Sequence, residues 1–377
     1  SGQSTTTGDD NTAVGRGAFS NNSTGEDNVA IGMGALHAST TASSNTAVGK
    51  SALAANTTAT NNTAVGHNAL TTTTTGVDNV AVGKDALEAN TTGRMNVAIG
   101  RDALQANTEG ELNVAVGREA LYFNTTGDSN VGIGRNALSN NTTASNNTAI
   151  GDSALNVNTT GAQNTAVGQG ALDANTTASE NTAVGVGALT ANTTGSANTA
   201  VGHSALEGCT TATQSTAVGQ RALENVTTGD KNTGLGWNAG GALTTGDFNT
   251  FVGQRAGDAI TTGDKNVAVG SEALSSGPSG ENCTAVGYQA LFANSTASNN
   301  TALGATSLSG NTTGTENTAL GAFASASSTT ANNCTSVGYA ALNALTTGSS
   351  NTAVGREAGK TNVSASHNTL IGAESFK

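Results

Sequence analysis

A single proline, three cysteines and 3% aromatic residues in 377 positions leave little of the material from which a globular core is made. Length alone would predict two or three globular domains, and this composition argues against them. No stretch approaching about 18 consecutive apolar residues occurs, so no membrane-spanning helix is written in the chain. Charge is sparse as well, 11% of residues with a net of −12 and no basic run, which excludes a nucleic-acid footprint. Neither a signal peptide, a heptad stalk nor a distinct end domain is readable.

What is abundant is repetition. The phrase "NTAVG" or a close variant recurs with its glycine at 15, 32, 49, 66 and onward to 372, a step of 17 residues in 22 units without insertion or deletion. A fixed short period marks a solenoid or a fibre. Counted from its asparagine as position 1, each unit reads "NTAVGxxALxANTTGxx". Position 5 is glycine in all 22 units, and position 4 is always Val, Ile or Leu. Position 8 is Ala except at Ser307 and Ser375, and position 9 is Leu in 16 units and Phe at Phe19 and Phe376. Positions 6, 7, 10, 16 and 17 hold nearly all charged side chains and are the solvated ones.

Asparagine, glycine and β-branched residues recur too often for a helix interior. The spacing predicts two short extended segments per unit, around "TAVG" and "AL", joined by tight turns. The expected fold is all-β, a β-solenoid of 22 coils running as one continuous array over residues 1–377. At roughly 4.8 Å per stacked strand it would be a rod about 105 Å long. The aliphatic column at position 4 and the leucines at position 9 are the expected core. It is thin, and the alanine columns at positions 3 and 8 are small enough to let neighbouring chains approach, which predicts a homo-oligomer. The chain starts at position 8 of a coil and stops at position 10 of another, as expected of a segment of a longer fibre or of a chain that stacks end to end.

Gly15, Gly32, Gly49, Gly66, Gly83 and Gly100 are the expected structural turns, with φ above zero. Asn11, Asn28, Asn45, Asn62 and Asn79 open a position-1 column that is Asn in 19 of 22 units, with Ser215, Cys283 and Cys334 as exceptions. An inward asparagine ladder is expected there. At position 12, Asn56, Asn90, Asn124, Asn158, Asn175 and Asn192 match the N-glycosylation pattern, as do Asn294 and Asn311. Cys209, Val226, Leu243, Ile260 and Leu345 replace asparagine in the same column, which argues for an inward side chain and turn chemistry in place of a sugar site. Cys283 and Cys334 stand three coils apart, about 14 Å along the stack, too far for an intrachain disulfide. They and Cys209 are expected to be free and buried; a like-to-like link across an oligomer axis is the alternative.

No catalytic constellation is legible. His37, His67, His203 and His367 occupy variable positions without a fixed carboxylate partner, and no Cys or His pair has zinc spacing. No "GK[ST]" follows the glycines, and calcium-type "GGxGxD" repeats are missing, so no cofactor or metal is expected. Trp237, Tyr288 and Tyr339 share position 6 and read as isolated surface aromatics.

The stretches "NNTAVG", "DNVAIG" and "MNVAIG" resemble the "NSVAIG" signature of YadA-like head repeats in trimeric autotransporter adhesins. Similar "NTAVGxxAL" arrays are a feature of phage or virus tail-fibre proteins. The resemblance covers all 22 units on about five residues each. It implies a left-handed parallel β-roll, three chains side by side, and an extracellular role in attachment to a host surface or matrix receptor. The coil here is longer than that family's, and neither its stalk nor its membrane anchor is found in the sequence.

Three functions follow as expectations. The first is an extracellular fibrous structural or adhesive protein, a rigid rod or filament without catalysis, partnered by itself as a homotrimer or an end-to-end filament. The second is an ice-binding solenoid using stacked threonines at positions 2, 13 and 14; against it, adjacent "TT" residues on a strand point to opposite faces. The third, a glycan-binding or glycan-processing fibre, lacks grouped carboxylates. Finally, "AGGALTTG" at 239–246 and "AGDAITTG" at 256–263 lose the position-9 leucine and gain Leu243 and Ile260 at position 12. The exchange predicts a common interior, in which Leu243 replaces what Gly240 lacks and Phe251 occupies volume released by Gly257.

Overall fold

The computed structural model describes residues 7–277 and 279–376. The chain is a parallel β-solenoid with one 17-residue coil per repeat, divided into two compact units, residues 1–186 and 187–377. The first carries strands β1 (Thr12–Val14) to β11 (Thr182–Val184) and the second β12 (Thr199–Val201) to β22 (Thr369–Ile371). Within each unit every strand lies parallel on the next in strict 17-residue register, as Thr12 on Val29, Ala13 on Ala30 and Val14 on Ile31.

Each coil has one three-residue strand, not two extended segments. The "AL" stretch is a pair of turns, because positions 7 and 9 both take left-handed backbone, as in Ser51 (φ 60°) and Leu53 (φ 50°). Position 17 is a third such corner, for instance Asp27 at 57° and Asn61 at 61°. Short polar side chains and glycine tolerate that region, which explains the Gly, Ser, Asn and Asp enrichment at positions 7 and 17. The turns still bond coil to coil. Leu53 N–H donates to Ala69 O at 3.0 Å and Thr91 N–H to Thr108 O at 2.9 Å, so the backbone is satisfied by stacking even where no strand exists.

The strand ends where position 5 begins. Gly15, Gly32, Gly49, Gly66, Gly83 and Gly100 have φ of 128° to 145°. A Cβ on Gly83 would sit 2.4 Å from Gly100 O in the next coil. Conformation and close approach both demand glycine, and the column is invariant for two independent reasons.

The aliphatic column at position 4 is not the core. Three residues alternate, so positions 2 and 4 point out and only position 3 points in. Ala47, Ala64 and Ala81 are fully buried while Val65 is 36% and Ile99 41% exposed. The inward residue must be small because position 9 enters from the opposite wall: a Cβ on Gly132, a position-3 glycine, would come within 3.3 Å of Leu121 Cγ. The alanines at positions 3 and 8 accordingly fill the coil interior and are not available to let chains approach. The interior consists of the asparagine of position 1, the alanines of positions 3 and 8, the leucine of position 9, the residue at position 12 and the Gly or Ala at position 15.

Leucine at position 9 is a compromise that magnitudes explain. Left-handed backbone costs an L-residue about 1–2 kcal/mol, whereas full burial of leucine is worth about 1.5–3 kcal/mol. The leucine column therefore persists at φ of 48° to 54°. Gly240, Gly257 and Gly359 adopt the same backbone at 62° to 64° without the strain.

The volume those glycines vacate is taken from position 3. Phe251 is fully buried, and its ring lies against both Gly240 and Gly257: an added Cβ would meet Phe251 Cδ2 at 2.5 Å and Phe251 Cδ1 at 2.4 Å, respectively. Leu370 fills the space of Gly359 in the same way, at 2.7 Å from such a Cβ. Ser325 at position 9 meets Ser336 at position 3 through a 2.9 Å hydrogen bond. Positions 9 and 3 of stacked coils are thus the coupled pair. Leu243 is buried but lies in the position-12 column, its Cδ1 against Gly246, and it does not fill the place of Gly240.

Candidate functional surfaces

Two asparagine columns run inside each unit and converge on one carbonyl per coil. At position 1, Asn45 donates Nδ2–H to Asn28 Oδ1 at 3.2 Å and to Ala59 O at 3.0 Å, and its backbone N–H donates to Asn28 Oδ1 at 3.0 Å. Asn11, Asn28, Asn62 and Asn79 continue that ladder. At position 12, Asn124 donates to Asn107 Oδ1 at 2.9 Å and to Gly127 O at 3.0 Å, and Asn141 donates to Asn124 Oδ1 at 2.8 Å. Where the next coil offers no asparagine, the oxygen turns to its own coil, as Asn56 Oδ1 accepts from Ala59 N–H at 2.9 Å. A primary amide has two N–H donors and a carbonyl acceptor, so one side chain can bond the neighbouring amides of its column and the position-15 carbonyl together, which a hydroxyl with a single proton cannot do.

The glycosylation-pattern residues Asn56, Asn90, Asn124, Asn158, Asn175 and Asn192 all lie in this second column and are fully buried, with Asn294 and Asn311 at most 1% exposed. Their amide nitrogens are donors inside the coil. A glycan at any of them would have to displace these bonds and pass through the coil wall.

The cysteines imitate the asparagines they replace. Cys283 Sγ lies 3.3 Å from Ala297 O and Cys334 Sγ 3.4 Å from Gly348 O, the carbonyls that a position-1 asparagine amide would reach. All three are free and buried. Burial raises each thiol, that of Cys209 to about 12. Because the thiolate is the nucleophile, the folded chain is expected to take up no maleimide at pH near 8 and three equivalents per chain after denaturation, counted by intact mass. Rapid labelling of the folded chain would show that these interior columns open.

Ionisable side chains form ion pairs at the surface, some within a coil and some from one coil to the next. Lys84 pairs with Asp85 at 2.7 Å, Arg101 with Asp102 at 2.8 Å and Arg135 with Asp152 at 2.7 Å. Burial alone would raise Asp85, but hydrogen bonds from Lys84, Asn68 and His67 outweigh it and hold the carboxyl below the usual range. His37 bonds Ser20 at 2.7 Å, His203 lies 3.1 Å from Ser204, and the His367 backbone N–H donates to Ser349 O. Among the described residues no three His, Cys, Asp or Glu side chains come together as a metal site. No helix there is long and apolar enough to cross a membrane.

The surface that sequence reasoning missed is the outward side of the strands. Positions 2 and 4 make two parallel columns, Thr or Val beside Val, Ile or Leu, on an in-register sheet. Val184 is 36%, Ile150 38% and Leu235 41% exposed. The signal was present in the sequence as an alanine between two larger residues, the smallest side chain marking the inward position. In unit 1 the two margins of this face differ in charge. Position 6 carries Arg16, Lys50, Lys84, Arg101, Arg118 and Arg135 with one acid, Asp152, whereas positions 16 and 17 carry Asp9, Asp10, Glu26, Asp27, Asp78, Glu111, Asp128 and Glu180 with one base, Arg94. In unit 2 the position-2 column is threonine in all coils except at Val267.

The threonines of position 13 are differently employed. Thr91 Oγ1 donates to Thr108 O at 2.9 Å, and Thr125, Thr159, Thr193 and Thr244 make the same bond to the next coil. They rivet coils together instead of presenting hydroxyls to solvent.

No family model matches the chain, and no curated protein matches it significantly.

Proposed function

We propose that this chain is a fibrous structural protein of the extracellular or virion surface, built to associate side by side with copies of itself through the outward strand face. The observation that carries the reading is the pair of outward columns at positions 2 and 4 within each unit, where the position-4 aliphatics form an exposed apolar stripe beside Thr or Val, the kind of patch that marks an interaction surface. Burying its aliphatics would contribute at every coil, about 25 cal/mol for each Å² removed from water.

The charged margins say how copies would meet. Rotation about an axis parallel to the coil stack brings the position-6 edge of one copy, rich in basic residues although Lys84, Arg101, Arg118 and Arg135 already pair with acids of their own chain, against the acidic 16–17 edge of the next. An antiparallel arrangement would bring like edges together and is disfavoured. A parallel cyclic oligomer follows, and the resemblance to YadA-like heads makes it a trimer. Attachment to a host-surface or matrix receptor is the role such a fibre would serve.

Sedimentation equilibrium is expected to give about three times the 36.6 kDa chain mass. Replacing Val82 and Val116 by glutamate should shift the material to monomer while circular dichroism stays unchanged, since both side chains point out. A monomeric parent chain, or variants that remain trimeric, would remove this interface.

Ice binding is the second reading, favoured by one observation: unit 2 presents ten threonines beside an aliphatic column on a regular sheet, Thr199 through Thr369. Position 13 does not contribute, its hydroxyls being committed to carbonyls. Measurable thermal hysteresis that disappears on replacing Thr216 and Thr318 by lysine would establish this reading, and no hysteresis at high concentration would end it.

A further inference from the structure

Unit 2 carries three exposed aromatic side chains in one column at equal intervals: Trp237, Tyr288 and Tyr339, each three coils from the next. They are 43%, 54% and 51% exposed. At the 4.7–4.9 Å spacing of stacked strands the interval is roughly 14 Å. Between them the column holds only Gln254, Ser271, Ala305 and Ala322, small or neutral residues that leave the rings standing clear. Position 7 alongside supplies hydrogen-bonding groups, including Asn238 and the pair in which Gln289 donates to Glu272 at 2.8 Å. Phe323 broadens the last platform, edge to face with Tyr339 at 5.8 Å between ring centroids.

We propose that this column is a binding track for a neutral, extended polysaccharide of the β-1,4-linked type. A pyranose ring has an apolar face of axial C–H bonds and a hydroxyl rim, which suits an exposed aromatic ring flanked by amide and carboxylate groups. The rise per sugar in such an extended chain is close to the coil spacing, so a chain lying along the stack brings every third ring over an aromatic. The three contacts then act as linked weak sites, and their combined affinity greatly exceeds that of any one. The net charge of −12 disfavours acidic polymers over neutral ones. The track lies wholly within unit 2, in the position-6 column that borders the face proposed for self-association. The titration is therefore run on the parent chain and on the variant with Val82 and Val116 replaced by glutamate, and both are expected to bind because the rings stand at the margin of that face and not on it.

Trp237 is the only tryptophan in the chain, so its emission reports directly on the first platform. Titrating the full chain with cellohexaose and with xylohexaose is expected to change that emission saturably for at least one of them, and affinity electrophoresis in hydroxyethylcellulose or soluble xylan should retard the protein. Tyr288→Ala together with Tyr339→Ala should weaken polysaccharide binding at least about tenfold. The register is tested by Tyr288→Ser combined with Ser271→Tyr, which keeps three aromatics but spaces them unevenly; a loss of at least about fivefold is expected. All these positions are outward and variable, so folding should be unaffected, as circular dichroism can check. No emission change and no retardation, equal binding by the shifted-register variant, or a preference for polygalacturonate would each overturn the proposal.

Discussion

Replacing Phe251 by alanine is expected to cost about 3–5 kcal/mol, the largest effect of any single truncation in unit 2. The ring fills the space over two glycines, Gly240 and Gly257, and each would bring a Cβ within 2.5 Å of it. Removing it leaves a void that neither glycine can close, because neither has a side chain. The defect can be repaired in a defined way. Elsewhere alanine at position 3 accompanies leucine at position 9, so Phe251→Ala combined with Gly240→Leu and Gly257→Leu recreates the common coil. Each leucine alone should destabilise by overpacking, whereas the triple variant should recover most of the loss. Leucine carries the left-handed backbone cost at both sites, so recovery short of the parent by about 1–2 kcal/mol per site is the expected ceiling. Because repeat arrays open locally, the readout is hydrogen-exchange protection over residues 234–266. A triple variant no better than Phe251→Ala would break the proposed coupling between positions 9 and 3.

That coupling also shows how far the sequence could be read. The period, the glycine corner and the inward asparagines are consequences of stacking: in a solenoid each column sees itself above and below, so a single residue type is selected many times. What cannot be seen this way is which way a column faces when both sides accept apolar residues. Val65 and Leu70 are both aliphatic and equally regular, yet one is 36% exposed and the other fully buried. The deciding residue is the least conspicuous one, Ala64, whose size reports the distance to the opposite wall. The exchange at "AGGALTTG" is legible as a compensation, but nearness in sequence points to the wrong partner. Leu243 lies three residues from Gly240 in sequence, whereas Phe251, eleven residues on, stands over it in space. The outward face of positions 2 and 4 and its charged margins became recognisable only when the strands were seen to be three residues long.

Aspartate in place of Asn124 is expected to destabilise unit 1 by at least about 3 kcal/mol at neutral pH, although it changes one atom. Asn124 Nδ2 donates to two acceptors, Asn107 Oδ1 at 2.9 Å and Gly127 O at 3.0 Å. An ionised carboxylate would set a buried negative charge against both and supply no proton. The group escapes by staying protonated, so its folded pKa rises above the unfolded value of about 3.9. Below that value both states carry the proton, and the charge-dependent part of the loss is absent. As pH rises past about 3.9 the unfolded chain ionises first, and the deficit grows until the folded pKa is passed. Asn124→Leu is the control. Leu243 and Leu345 show that the column accepts leucine, and the cost of the broken ladder there should not depend on pH. Thermal melts of both variants at pH near 4 and near 8, each referred to the parent chain, separate the two effects. A deficit for the aspartate variant that is equal at both values would mean that the ladder oxygen is reached by water, and with it the interior that the asparagine columns are inferred to seal.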